Sequence, residues 1–175
     1  HGSGMGERRM SAYSLHPTAR AVNARRSLMS YLFSQGFSAA IVDYNDERSN
    51  SDSTAPFIRV RVTEAPAQSQ GPHPDGGKAT QRVLMIDCEC WARGTNGEQS
   101  GICDAAIGLA DQVDAALTYP TPIEIFDYAA GQDPAVTTGH FLQFTRPPSR
   151  SDARNVDGWQ QVIVSTQAFW FARKE

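Results

Sequence analysis

The chain has 175 residues, and 16 Lys and Arg against 19 Asp and Glu give a formal net charge of −3. That length has room for one hydrophobic core but hardly for two, and the mildly acidic balance without runs of one sign excludes a generic basic nucleic-acid binder and a polybasic membrane anchor. Apolar stretches of only a few residues fall far below the roughly 20 that a membrane-crossing helix needs, so a soluble protein is expected.

The opening His1-Gly2-Ser3-Gly4 reads as the scar of a removed tag and Met5 as the natural start, which leaves residues 5–175 as a single domain. From Pro17 to Gln35, Val22, Leu28, Met29, Leu32 and Phe33 recur at helical spacing with Arg20, Arg25 and Arg26 between them, and Gly36 supplies a stop. Phe37–Tyr44, with Ile41 and Val42, is short enough for a strand. Residues 45–56 are polar and turn-rich, the composition of an exposed loop. In Phe57–Thr63 strict alternation places Ile58, Val60 and Val62 on one face and Phe57, Arg59 and Arg61 on the other.

Residues 64–81 are again poor in apolar groups and carry Pro66, Pro72, Pro74 and the turn signal Asp75-Gly76-Gly77, which reads as a long hairpin arm. The strand Arg82–Arg93 follows, with Leu84, Ile86, Cys88 and Cys90 facing the core and Val83, Met85, Asp87, Glu89 and Trp91 facing away. From Gly101, Ile102, Ala106, Leu109, Val113 and Leu117 mark a second helix that ends near Tyr119-Pro120. Three more strands are expected at Ile123–Asp127, His140–Thr145 and Gln160–Ala172, the last two separated by a polar loop at residues 147–158. In the terminal strand Phe169 and Phe171 share one face, and Trp170 is read as pointing away from the core. Helices and strands do not alternate as βαβ units. The expected architecture is α+β: a mixed, mainly antiparallel sheet of about five to six strands with both helices on one face.

Residues able to carry chemistry are sparse. His16, His73 and His140 lie in no recognisable motif, and no Gly-x-Ser-x-Gly elbow accompanies them. Cys88, Cys90 and Cys103 number one too few for a closed zinc site and lack the Cys-x-x-Cys spacing; Cys88 and Cys90 read instead as small inward-packed hydrophobes in a reducing compartment. Gly76-Gly77-Lys78 lacks the upstream glycine and following helix of a phosphate loop. Asp87 with Glu89, or Glu124 with a neighbour, can form a carboxylate pair, but charges on a solvated sheet face are the commoner arrangement. No catalytic group, cofactor or metal is expected. A sheet with helices on one face must wet its other face or bury it against another copy, and Trp and Arg are enriched in subunit contacts. Arg59, Arg61, Trp91 and Trp170 are therefore the candidate interface residues.

In organisation the chain resembles the tail terminator, or tail-completion, proteins of long-tailed bacteriophages and prophages. The likeness is carried by the helix containing Val22-Asn23-Ala24-Arg25-Arg26-Ser27-Leu28, the strand Val83–Arg93, the alanine-rich helix Ile102–Leu117 and the closing strand Trp159–Ala172. It implies a virion structural protein of the tail or neck, made in the host cytoplasm. Such a protein forms a hexameric ring on the tail tube, stops tube polymerisation and joins tail to head. Its partners are then other copies of itself, the tail-tube protein, the head-tail connector and DNA that passes through the lumen without sequence-specific contact; no membrane is involved. A head-completion or neck connector protein and a tail-tube subunit are the neighbouring alternatives. A small enzyme or ligand-binding domain using the exposed sheet face is the alternative of a different class.

Overall fold

The computed structural model describes residues 20–44, 55–65, 68–72, 78–93, 99–129 and 135–173. In chain order these form α1 (Ala21–Ser34), β1 (Ala40–Asp43), β2 (Phe57–Glu64), β3 (Gln68–Pro72), β4 (Lys78–Arg93), α2 (Gln99–Leu117), β5 (Ile123–Asp127), β6 (Val136–Leu142), β7 (Ser149–Arg150), β8 (Arg154–Val156) and β9 (Trp159–Arg173). The fold is α+β, with a mostly antiparallel sheet, as the element order leads one to expect.

The two longest strands, β4 and β9, are the sheet's spine. They pair antiparallel without a register shift from Ala79 opposite Arg173 to Arg93 opposite Trp159. β2 flanks one end of β4 and β3 the other, so the expected hairpin arm exists as the β3–β4 pairing. β1 adds to the edge of β2 as a parallel neighbour. Because a strand's side chains alternate, an unbroken register sends one parity of both strands to one face. Here the even positions are the core: Ile58 and Val60; Leu84, Ile86, Cys88, Cys90 and Ala92; Val162, Val164, Ala168 and Trp170.

Both helices contribute to the same buried cluster. α2 inserts Ala106, Leu109, Ala110, Val113 and Leu117, and α1 inserts Ala24, Leu28, Met29 and Leu32. Fully burying one such leucine stabilises the fold by about 1.5–3 kcal/mol. Two residues expected on the apolar stripe of α1, Val22 and Phe33, are exposed. The stripe is rotated because two polar residues, Asn23 and Ser27, are buried against the end of β5. Asn23 Oδ1 accepts the Tyr128 N–H at 3.0 Å, and Ser27 Oγ accepts the Phe126 N–H at 2.9 Å. Tyr31 crosses to α2, its hydroxyl donating to the Ala116 carbonyl at 2.7 Å. Gly36, at φ +68°, ends α1 in the left-handed conformation that glycine adopts without a Cβ penalty.

The last third of the chain departs most from expectation. β5 lies where its sequence placed it, but β6 starts at Val136 and ends at Leu142, earlier than the predicted His140–Thr145. Beyond Leu142 the chain leaves β5: Gln143 exchanges both backbone hydrogen bonds with Phe169 of β9, each 3.0 Å. Residues 147–158, expected as a polar loop, then run along the far edge of β9 as an interrupted strand. β7 pairs with Val164 and Ser165, the Ser151 N–H donates to the Ile163 carbonyl at 2.9 Å, and β8 pairs with residues 159–161. Asp157 and Gly158, at φ 51° and 81°, close the β8–β9 hairpin with the positive angles of a tight primed turn. Backbone pairing needs no apolar side chain, so Pro, Ser and Arg concealed this edge. A broken, charged edge also resists unwanted pairing with other strands.

Candidate interaction face

The odd positions of β2, β4 and β9 point away from the helices. Register sets Phe57 opposite Trp91, Arg59 opposite Glu89, Arg61 opposite Asp87 and Arg93 opposite Trp159. Neighbouring strands lie close enough for directly opposed side chains to touch, so aromatic meets aromatic and acid meets base. Phe57 stacks on Trp91 with ring centroids 6.1 Å apart, and Trp159 meets both edge-on, at 5.3 Å from Phe57 and 6.5 Å from Trp91.

Glu89 lies beneath this aromatic group, 7% exposed although it faces away from the hydrophobic core. Its Oε1 accepts from Arg59 Nε at 3.2 Å and Nη2 at 2.8 Å, from Trp91 Nε1 at 3.1 Å and from Gln161 Nε2 at 3.1 Å. Gln161 Oε1 in turn accepts from Arg154 Nε at 2.6 Å, which joins β8 to the same network. A carboxylate removed from water costs several kcal/mol unless a cation and donors replace the lost hydration, and these four donors do so. The Arg59 guanidinium also lies 4.8 Å from the Tyr44 ring centroid and 5.5 Å from that of Trp91. Arg61 sits 5.0 Å from the Tyr44 ring and Arg93 5.8 Å from the Trp159 ring, both cation–π distances. One row further along, Asp87 accepts the Ser165 hydroxyl at 2.6 Å.

Of the residues singled out from sequence, Arg59, Arg61 and Trp91 come together on this face. Trp170 does not. It is 1% exposed, opposite Arg82 on the core side of the sheet, so the expectation that it points outward is corrected. Two neighbouring phenylalanines suggested the opposite parity, but Val162, Val164 and Ala168 fix the face that meets the helices. Phe169 and Phe171 are the outward pair, packed edge-on at 5.9 Å, with Phe171 exposed. Sequence reading missed Trp159, Gln161, Arg154 and Tyr44. The first two share the parity of Phe169, a signal legible only once the β9 register is known.

Asp87 and Glu89, weighed as a carboxylate pair, do share a face, but Glu89 is held by Arg59 and Asp87 by Ser165. Glu124 accepts a hydrogen bond from Thr137 across the β5–β6 pair. Cys88 and Cys90 are buried free thiols in the core. Burial, with smaller contributions from Cys90 and Asp87, raises the Cys88 pKa well above the usual thiol range, and burial pushes Cys90 up to about 12. His140 lies in β6; His16, His73, residues 45–54 and the Cys103 side chain lie outside the described residues. Among the described residues no three His, Cys, Asp or Glu side chains gather as a metal site, and no helix is long and apolar enough to cross a membrane. A cleft of about 290 Å³ opens beside Met85, lined by Thr145, Arg146, Ser149, Ser165 and Thr166, and among the described residues no carboxylate, histidine or thiol enters its wall.

No protein-family model matches this chain, and no curated protein matches it significantly in sequence. Seven solved chains resemble it in structure. One of them superposes with a TM-score of 0.55 over 86% of this chain and 95% of its own length, at 13% identity. At that identity the likeness concerns the fold alone: the arrangement of two helices and a largely antiparallel sheet occurs in another protein of closely matching extent.

Proposed function

We propose that this protein is a tail terminator of a long-tailed phage or prophage, a structural ring subunit that caps the tail tube and forms the surface to which the head is joined. The observation that carries the reading is the sheet face that no helix covers among the described residues, with its preformed cluster of Phe57, Trp91 and Trp159 locked by the Arg59–Glu89 network. Aromatic and arginine side chains held in place before contact lose little conformational freedom on docking, which suits a binding surface. The two sheet edges also differ: β1 is a four-residue parallel edge, whereas the other edge is the interrupted β7–β8 segment. Different surfaces on the two sides favour head-to-tail contacts, which generate rings when the rotation closes. The sequence organisation described above supplies the rest of the reading.

The test is capping. Purified tail tubes are incubated with the protein, and tube elongation and head joining are followed with negative-stain imaging. A terminator gives rings with a central hole at tube tips, halts elongation and permits head attachment. Binding to heads without tubes moves the assignment to a neck connector, and co-polymerisation along the tube moves it to a tube subunit. A monomer at every concentration that leaves tubes unaffected overturns the assembly reading and directs attention to the cleft beside Met85.

A further inference from the structure

The outer sheet face and the exposed side of α2 carry opposite charge. On the outer sheet face Arg61, Arg93 and Arg154 are exposed, and Arg59 is partly so. Both acidic residues at odd positions of β4 are already engaged: Glu89 by Arg59, Trp91 and Gln161, and Asp87 by the Ser165 hydroxyl. Against these two carboxylates the face carries the four guanidinium groups of Arg59, Arg61, Arg93 and Arg154, so the charge around the aromatic cluster is net positive.

In the opposite layer the reverse sign is confined to α2, since α1 beside it carries Arg25 and Arg26 and no acidic residue. Between Gln99 and Leu117, α2 contains no Lys or Arg. Asp104, Ile107 and Asp111 lie three and four residues apart on one stripe, and all are exposed. Arg150 reaches this helix from the sheet edge, but it is shared between Asp111 at 2.6 Å and Asp114 at 2.7 Å, while Asp104 has no basic partner among the described residues.

We infer that copies of this chain associate face to back, the arginine-rimmed aromatic face of one docking on the acidic α2 stripe of the next. The inference rests on the self-assembly reading above and specifies its contact. Docking like faces would oppose arginine to arginine or aspartate to aspartate, so a two-fold dimer is disfavoured by either surface. Docking unlike faces pairs opposite charges around an apolar centre, with Trp91, Trp159 and Phe57 against Ile107, the anatomy of an interface with a polar rim. A contact between unlike surfaces repeats from copy to copy and ends only when it closes on itself.

The experiment uses the full chain and two charge-reversed variants, Arg61→Glu with Arg93→Glu, and Asp104→Lys with Asp111→Lys. Asp114 remains to hold Arg150 in the second. Mass is followed by light scattering and shape by negative stain, with far-UV circular dichroism as the folding control. The first variant has both surfaces negative and the second both positive, so each alone is expected to associate about tenfold more weakly or worse. An equal mixture is expected to reassemble, because strict alternation restores an attractive contact at every junction and closes any even ring. Wild-type assembly is also expected to weaken as salt rises from about 0.05 to about 0.5 M, which screens the pairing and supplies a readout should a variant not fold. Wild-type rings indifferent to both reversals and to salt overturn the face-to-back contact and leave the ring reading standing. If neither the wild type nor the mixture assembles at any concentration or on tube tips, both fall.

Discussion

The two faces of the β2–β4–β9 sheet are built from the same strands, residue by residue in alternation, yet they are held together differently. The even face is dry and apolar, closed by two helices, and its side chains gain stability from removal from water. The odd face has no helix over it among the described residues; it is held by ring stacking and by donors converging on Glu89. The first arrangement tolerates loss of volume poorly and does not depend on pairing of charges. The second depends on charge and geometry. One strand register therefore yields a core and a preformed aromatic and ionic surface together, and substitutions on neighbouring residues should report on different physics.

The sharpest contrast lies between two tryptophans. Trp170→Ala should cost about 3–5 kcal/mol in urea denaturation, since a fully buried indole leaves a large cavity. Trp170→Phe should cost much less, because the indole Nε1 has no acceptor among the described residues and its removal ends that burden. Trp91→Ala, on the half-buried outer face, should cost roughly 1–2 kcal/mol, the loss of partial burial and a ring pair. Equal costs for the two alanine variants would erase the distinction between the faces.

Next in size is Glu89→Ala, which strips the acceptor from Arg59, Trp91 and Gln161 together. About 1–3 kcal/mol should be lost, with Arg59 partly rehydrated because its side chain is a third exposed. Arg59→Ala in the Glu89→Ala background should then cost far less than in the wild type. A double-mutant cycle showing additive effects would remove the network from the account.

Smaller still is the staple between the broken edge and α2. Partial burial works against ionisation of Asp114, but hydrogen bonds from Arg150 and Thr118 outweigh it and hold its pKa below the ordinary value of 3.8. A carboxyl depressed in the folded state adds stability that is complete above that ordinary value and lost as pH falls through the folded one. Arg150→Ala should therefore cost roughly 0.5–1 kcal/mol at neutral pH, and the gap from wild type should close under acid conditions. A gap that persists after Asp114 is protonated would assign the effect of Arg150 to packing.

The last contrast is kinetic. Cys88 and Cys90 should resist thiol reagents at mildly alkaline pH in the native state and react on unfolding, as peptide mapping would register, because burial withholds both access and the thiolate. Rapid labelling of either in the native protein would show that the core opens locally between β4 and the helices.

Much of this was written in local pattern. The alternation of Phe57–Thr63 and of Arg82–Arg93, and the steps of three and four from Ala106 to Leu117, determine strands and helix because burial acts on side chains at those periods. They also place Arg59, Arg61 and Trp91 away from the core. What sequence did not determine was anything requiring a partner strand or a buried polar bond. Trp170 needed the unshifted β4–β9 register to settle its face; residues 147–158 became an edge through backbone pairing that leaves no apolar signature. Val22 and Phe33 turned outward because Asn23 and Ser27 answer backbone groups a hundred residues away. Periodicity reports which side chains seek shelter, while the choice of shelter and the accounts of hydrogen bonds and charge are closed only between segments distant in the chain.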